Sequence, residues 1–152
     1  MKKIKIYNTR EVCCDFKIDS SYKFKIWTPS LLNFLPPNKS FKYIIYWLFH
    51  YTRIFKNRNY SAIIVYKDKN LIASLLMVPK YYKWKYMKNN DIQFTYVLTE
   101  ADYRGKKIAP LMINFGFNAL RDKVDNFWYV TDNSNVSSMK VAEKLNFNVY
   151  DI

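Results

Sequence analysis

Glycine, cysteine, histidine and acidic residues are all scarce in this chain, and each shortage removes a class of function. Among 152 residues there are 2 glycines, 2 cysteines and 1 histidine. One histidine and two cysteines cannot furnish an ordinary zinc ligand set, so no metal site is expected. Cys13 and Cys14 are adjacent, a spacing that suits neither a disulfide with each other nor a CxxC site. Read as small apolar side chains they imply a reducing compartment. With no His or acidic partner at a recognisable spacing, they are set aside as nucleophiles. Long apolar runs are missing too. The most membrane-like stretch, Tyr43 to Phe55, contains His50 and Arg53 and is too short to span a bilayer. The basic start Met1-Lys2-Lys3 leads into polar Tyr7-Asn8-Thr9-Arg10-Glu11 instead of an apolar signal core. A cytoplasmic protein without a membrane span is expected.

The 12 Asp+Glu against 25 Lys+Arg leave a net charge of +13. Such a field favours phosphorylated or otherwise acidic ligands. The lysines are scattered and form no basic helix, zinc-finger spacing or aromatic ribonucleoprotein motif, so nucleic acid is not the expected partner. An abundance of Lys, Asn, Ile and Tyr is equally well read as compositional bias.

What is present is apolar surface. Half the residues are hydrophobic and 19% are aromatic, enough for one continuous core. No linker or internal repeat divides the chain, so residues 1–152 are expected to form a single domain. Alternation predicts strands over Lys3 to Tyr7 and Tyr22 to Trp27. After the breaks at Thr28-Pro29-Ser30 and Pro36-Pro37-Asn38, helical spacing predicts a helix over Lys39 to Lys56, capped by Asn38 or Ser40. Tyr60 to Tyr66 and Leu71 to Val78 predict an antiparallel pair across the connector Lys67-Asp68-Lys69-Asn70. Ile92 to Thr99 reads as a strand and Ile108 to Lys123 as a helix. Phe127 to Thr131 reads as a strand, Asn135 to Leu145 as a helix capped by Asn133 or Ser134, and Phe147 to Ile152 as a final strand. This order predicts an α/β sheet, antiparallel early, with one parallel crossover around the Ile108 helix.

The segment Glu100-Ala101-Asp102-Tyr103-Arg104-Gly105-Lys106-Lys107-Ile108-Ala109 joins a strand directly to a helix. A tight basic loop at a helix N-terminus presents backbone N–H groups where the helix dipole also favours negative charge, and a pyrophosphate fits there. Tyr-Arg-Gly-Lys-Lys-Ile-Ala resembles the signature R/Q-x-x-G-x-G/A of the GNAT superfamily of N-acetyltransferases, with Arg104 first, Ala109 last and Lys107 in place of the middle glycine. If that position requires positive φ, a non-glycine residue costs roughly 1–2 kcal/mol. Pro110 follows, tolerated in a first helical turn. Further on, Asn135 to Phe147 is similar to the superfamily's N-x-x-S/A followed by E-K-L-G-F, with Asn146 replacing the glycine, a substitution compatible with a left-handed helix end.

The resemblance covers the last third of the chain well and the rest by its pattern of elements. It implies a GNAT-like fold: a mixed, mostly antiparallel central sheet flanked by helices, with splayed parallel strands at a cofactor cleft. It implies acetyl-CoA as cofactor, with Val97 and Thr99 offering strand backbone to pantetheine. Arg104, Gly105, Lys106, Lys107, Ile108 and Ala109 would hold the pyrophosphate, and Asn135 and Ser138 would touch pantetheine from the far side. It also implies transfer of an acetyl group to a small-molecule primary amine, by direct attack and without a covalent enzyme intermediate.

Direct attack needs a general base or a water chain. Where some relatives carry Glu or His, this strand has Gln93 and Thr95, which can hold a water. Asp91, on the same face by period-two spacing, could take a proton through that water, or could simply end the Lys88-Asn89-Asn90 turn. The tyrosine acid frequent on the last helix is replaced by Ala142, leaving Tyr129 and Tyr103 as stand-ins. His50 on the first helix is a further base candidate. The charge suits a phosphorylated acceptor, and the resemblance to GNAT members of bacterial surface-polysaccharide pathways implies an amino sugar or nucleotide-linked amino sugar. The missing carboxylate and tyrosine equally allow a catalytically weak acyl-CoA-binding module. The edge of the short last strand could be covered by a second copy.

Overall fold

The computed structural model describes residues 4–150 except Cys13, Phe16 and Lys39, and the side chain of Lys42 is also left out. The expectations for Lys3, Cys13, Lys39 and residues 151–152 therefore lie outside the described residues. Among the described residues, seven strands and three α-helices follow one another: β1 (Ile4–Thr9), β2 (Lys23–Trp27), α1 (Ile44–Tyr51), β3 (Ser61–Lys67) and β4 (Asn70–Pro79). Then come β5 (Ile92–Thr99), α2 (Ile108–Leu120), β6 (Phe127–Asp132), α3 (Val136–Lys144) and β7 (Asn148–Tyr150). They form one mixed sheet of order β2-β3-β4-β5-β6-β1-β7. Every neighbouring pair is antiparallel except β5 and β6.

The β3–β4 connection is a tight turn in which Asp68 (φ 48°) and Lys69 (φ 70°) both lie in the left-handed region. That geometry matches the right-handed twist of a hairpin. The first helix is shorter than its apolar spacing predicts. A 3-10 turn over Phe41–Tyr43 precedes α1, and Ser40 at its start makes no capping side-chain bond. At the other end Arg53 turns to φ 60°, and both Ile54 N and Phe55 N bond back to Phe49 O, at 3.0 and 3.2 Å. The reversal buries Phe55 instead of carrying it round another helical turn.

The two faces of the sheet have different cores. Beneath α2 and α3 lie aliphatic and phenylalanine side chains from β3, β4 and β5, including Ile63, Leu75, Met77 and Phe94. Beneath α1 lies an aromatic cluster of Trp27, Tyr43, Tyr46, Phe49, Phe55, Tyr60 and Tyr81. Gly116 is where α2 rests on the sheet. A Cβ there would stand 2.7 Å from Met77 Sδ and 3.1 Å from Phe94 Cε1, so the helix can lie this close only without a side chain. That contact fixes the start of α2 relative to the end of β5.

Candidate active site

The strand β5 holds the site because it loses one of its two partners halfway. Ile92, Gln93 and Phe94 pair with Phe127, Trp128 and Tyr129 of β6, and there the parallel pairing stops. Beyond Tyr129 the strands part, while β5 stays on β4 through Thr99. Its register on β4 shifts between Ser74 and Leu76, opposite Thr95 to Leu98. Tyr96, within that shift, has φ 49°, the mark of a bulge that bends the strand away from its neighbour. No glycine or asparagine announces this bulge in the sequence.

The gap opens into a cavity of about 460 Å³, lined by Val97, Thr99, Arg104, Lys107 and Ala109 on one side and by Asn135, Ser138, Lys140 and Lys144 on the other. Gly105 and Ile108 also line it, whereas Lys106 lies over the ring of Tyr103, 4.9 Å from its centroid. Lys140 and Lys144 were not anticipated. Their four-residue spacing on α3 was the available signal, since it puts both on one helical face.

The turn into α2 enters the left-handed region twice. Gly105 has φ 78° and Lys107 φ 60°, so the lysine in the place of the middle glycine does adopt a left-handed conformation, at a cost of roughly 1–2 kcal/mol. Lys107 is the N-cap residue of α2. The first helical bond runs from Leu111 N to Lys107 O, leaving the N–H groups of Ile108 and Ala109 upstream of the ladder. Arg104 Nε donates to Thr99 O at 3.2 Å, tying the loop to the end of β5. Small residues, a helix N-terminus and four cations around one cavity are what a diphosphate on a long chain would need.

Across the gap, Asn135 caps α3. Its Oδ1 accepts from Ser138 N at 3.1 Å and from Ser137 Oγ at 2.9 Å. This corrects the expectation of a cap at Asn133 or Ser134, because Ser134 instead bonds Asp132 Oδ1 through its N–H and hydroxyl. At the far end of α3, Asn146 has φ 63° and Phe147 N bonds Ala142 O at 3.0 Å, the left-handed ending expected of an asparagine. Tyr129 stands at the fork itself, 4% exposed and lining the cavity. Burial pushes its phenol pKa up, only partly offset by its hydrogen bond with Ser138.

The four candidate catalytic residues do not come together. Asp91 is fully buried. It accepts from Lys88 N and Trp128 Nε1 at 2.8 Å and from Asn126 Nδ2 at 3.1 Å. It locks the start of β5, about 13 Å of extended strand from Thr95. The expectation of a water-linked base gives way to the turn-ending role. Gln93 is 4% exposed and its Oε1 is taken by the Tyr86 hydroxyl at 2.5 Å. Thr95 is half-buried beside the bulge. His50 packs against Tyr51 and Tyr60, while Tyr96 is met by Tyr43 and Tyr46. Burial first, then Arg58, lowers the His50 pKa. The Tyr96 side chain, missed in the sequence, joins a phenol network. The Tyr46 hydroxyl bonds both Tyr96 and Tyr81, and desolvation with these contacts drives its pKa above the ordinary range.

The site thus combines a splayed β5/β6 pair, a bulge at the fork and a basic turn into a helix. The profile of the Acetyltransferase (GNAT) family matches residues 26–147, and the chain belongs to that family. No curated protein matches it by sequence. Among solved structures it is similar to a GNAT-family acetyltransferase from Novosphingobium aromaticivorans, at 14% identity and TM-score 0.56, over 97% of this chain and 61% of that one. A tandem GNAT protein from clavulanic acid biosynthesis aligns at 12% identity and TM-score 0.62, over 99% of this chain and 51% of that one. An aminoglycoside N-acetyltransferase solved with coenzyme A aligns at 11% identity and TM-score 0.60, over 90% and 95%. The chain thus spans about half to three-fifths of the first two.

Proposed function

We propose that this protein transfers the acetyl group of acetyl-CoA to a primary amine, with amino sugars or nucleotide-linked amino sugars as the favoured acceptor class. The observation that carries the reading is the fork at Phe94 and Tyr129, with a cationic cavity leading from it to the N-terminus of α2. Acetyl-CoA would supply an activated thioester, and the chain would orient it. Arg104, Lys107 and the first turn of α2 would hold the diphosphate, and the backbone of Val97 and Thr99 would align pantetheine. The bulge at Tyr96 turns strand backbone toward the fork, where an N–H can polarise the thioester carbonyl. Tyr129, kept protonated by burial, would give a proton to the leaving thiolate.

Asp91, immediately before β5, is engaged by Asn126, Trp128 and the Lys88 amide, so in this reading it does not receive the acceptor's proton. The Thr95 hydroxyl and water at the bulge are left to relay it. A test is free-thiol release from acetyl-CoA across a panel of amines, together with Tyr129→Phe. The expected result is acceptor-stimulated release that falls at least ~100-fold in kcat in the variant, with acetyl-CoA affinity retained. Tight acetyl-CoA binding without turnover on any amine would favour instead the weak acyl-CoA-binding module, for which the spent Asp91 and the buried Ala142 speak.

A further inference from the structure

The lysines are spread along the chain, but the carboxylates are not. From Ser20 to Asn90 there are thirteen Lys and Arg and a single acidic residue, Asp68, whereas the rest of the chain has twelve basic and eleven acidic residues. Nearly all the net charge therefore resides in the segment that builds β2, α1, β3 and β4. Asp68 sits in the β3–β4 turn. The antiparallel register puts the other ends of these strands together, with Trp27 opposite Ala62, Ser61 opposite Met77 and Pro79 opposite Ile92. From that end emerge the loops carrying the exposed Arg53, Lys56, Arg58, Lys83 and Lys85, joined where Lys56 N bonds Lys80 O at 3.0 Å.

The same end carries apolar groups pointed at solvent. Ser30 and Asn33 exchange backbone bonds of 3.1 and 3.2 Å, and Ser30 Oγ accepts from Asn33 N at 3.0 Å. The tight turn so closed displays Leu31 at 71% and Leu32 at 96% exposure. Trp47 Nε1 bonds Ser30 O at 3.0 Å, and Phe34 packs on Trp47, so the turn is anchored to α1. The outer face of that helix continues the surface with Ile45 and Leu48, exposed by 50% and 44%, and the 3-10 turn before it adds Phe41 at 78%. An anchored apolar surface of this kind in a helix with no Lys, Arg, Asp or Glu marks an interaction site.

Charge and shape select the occupant. A second copy would bring the same positive field against itself. Nucleic acid is gripped by stacking platforms and arginine, whereas the tip here is leucine and eleven of the thirteen cations are lysine. The apolar elements are a turn tip and the convex side of a helix, shapes that enter a soft layer. Lysines flanking such elements suit diffuse negative charge. We infer that the Ser30–Asn33 turn and the outer face of α1 dock this protein peripherally on an anionic lipid bilayer, leucines in the headgroup layer and lysines at the lipid phosphates.

Co-sedimentation tests this with the full chain and vesicles of phosphatidylcholine alone or mixed with phosphatidylglycerol. Binding to the anionic vesicles, release by salt, and at least a tenfold loss in both Leu31→Ser/Leu32→Ser and Lys83→Glu/Lys85→Glu are expected, on the order of one tenfold step for each pair removed. Circular dichroism and acetyl-CoA affinity should be unchanged in both variants. Equal binding to neutral vesicles, no binding to anionic ones, or binding indifferent to the leucines would overturn the inference. So would a gel shift with duplex RNA that outcompetes the vesicles.

Discussion

The two sides of the cleft at Tyr96 are made by different means. On the coenzyme side the work is done by backbone: the parted strands, the left-handed turn at Gly105 and Lys107, and the first turn of α2. On the opposite side it is done by side chains, a stack of tyrosines reaching from Tyr96 through Tyr46 to Tyr81 beneath a helix without Lys, Arg, Asp or Glu. A backbone device tolerates substitution so long as the conformation survives, as Lys107 illustrates. A side-chain device can be rebuilt without disturbing the fold, and acceptor choice is where such freedom is useful.

Four measurements would break or sharpen this contrast. The largest effect is expected at the shared support. Asp91→Ala strands the Lys88 and Trp128 donors in a dry interior and should cost roughly 3 kcal/mol in urea unfolding. If it instead abolished turnover without loss of stability, Asp91 would return as a proton acceptor. Next, Ser138→Trp fills the cavity from α3 and should weaken acetyl-CoA by about 100-fold in calorimetry, about 2.7 kcal/mol, leaving secondary structure intact. A smaller, two-signed effect is expected for Lys107→Gly. Relief of the left-handed strain raises stability by up to about 1 kcal/mol, while loss of one cation weakens acetyl-CoA and flattens its salt dependence. The smallest involves His50. Its pKa is lowered from 6.5 on folding, so the unfolded chain binds the proton more readily. Its contribution is complete above pH 6.5 and is lost as pH falls through the folded value. His50→Gln should therefore flatten the acid limb of Tm against pH below that point, and an unchanged limb would remove His50 from the account.

The proposed coenzyme side is legible in the sequence because its turns and caps have local signatures. A basic turn between a strand and a helix, Asn135 three residues before Ser138, and Asn146 at a helix end each follow from a local rule. The tyrosine side was not readable, since what matters there is which rings meet across strands distant in sequence. Tyr96 gave no sign of its positive φ, because the bulge is imposed by pairing with β4 and not by its own preference. The overlong first helix failed for a related reason: Arg53 reverses the chain so that Phe55 can reach the aromatic cluster, a tertiary gain that outweighs local helical spacing. Asp91 was legible as a turn residue but not as the partner of Trp128, 37 positions on.

The placement of β1 between β6 and β7 has a consequence for biosynthesis. Thr9, the last residue of β1, is translated 118 positions before Phe127, the first residue of either neighbour, Phe127–Asp132 or Asn148–Tyr150. At roughly 5–20 residues per second, this segment waits on the order of ten seconds on the ribosome with its hydrogen-bonding edges unmet. β1 can thus dock only after β6 and β7 have been made, and Tyr7, wholly enclosed once it docks, would report the moment of closure.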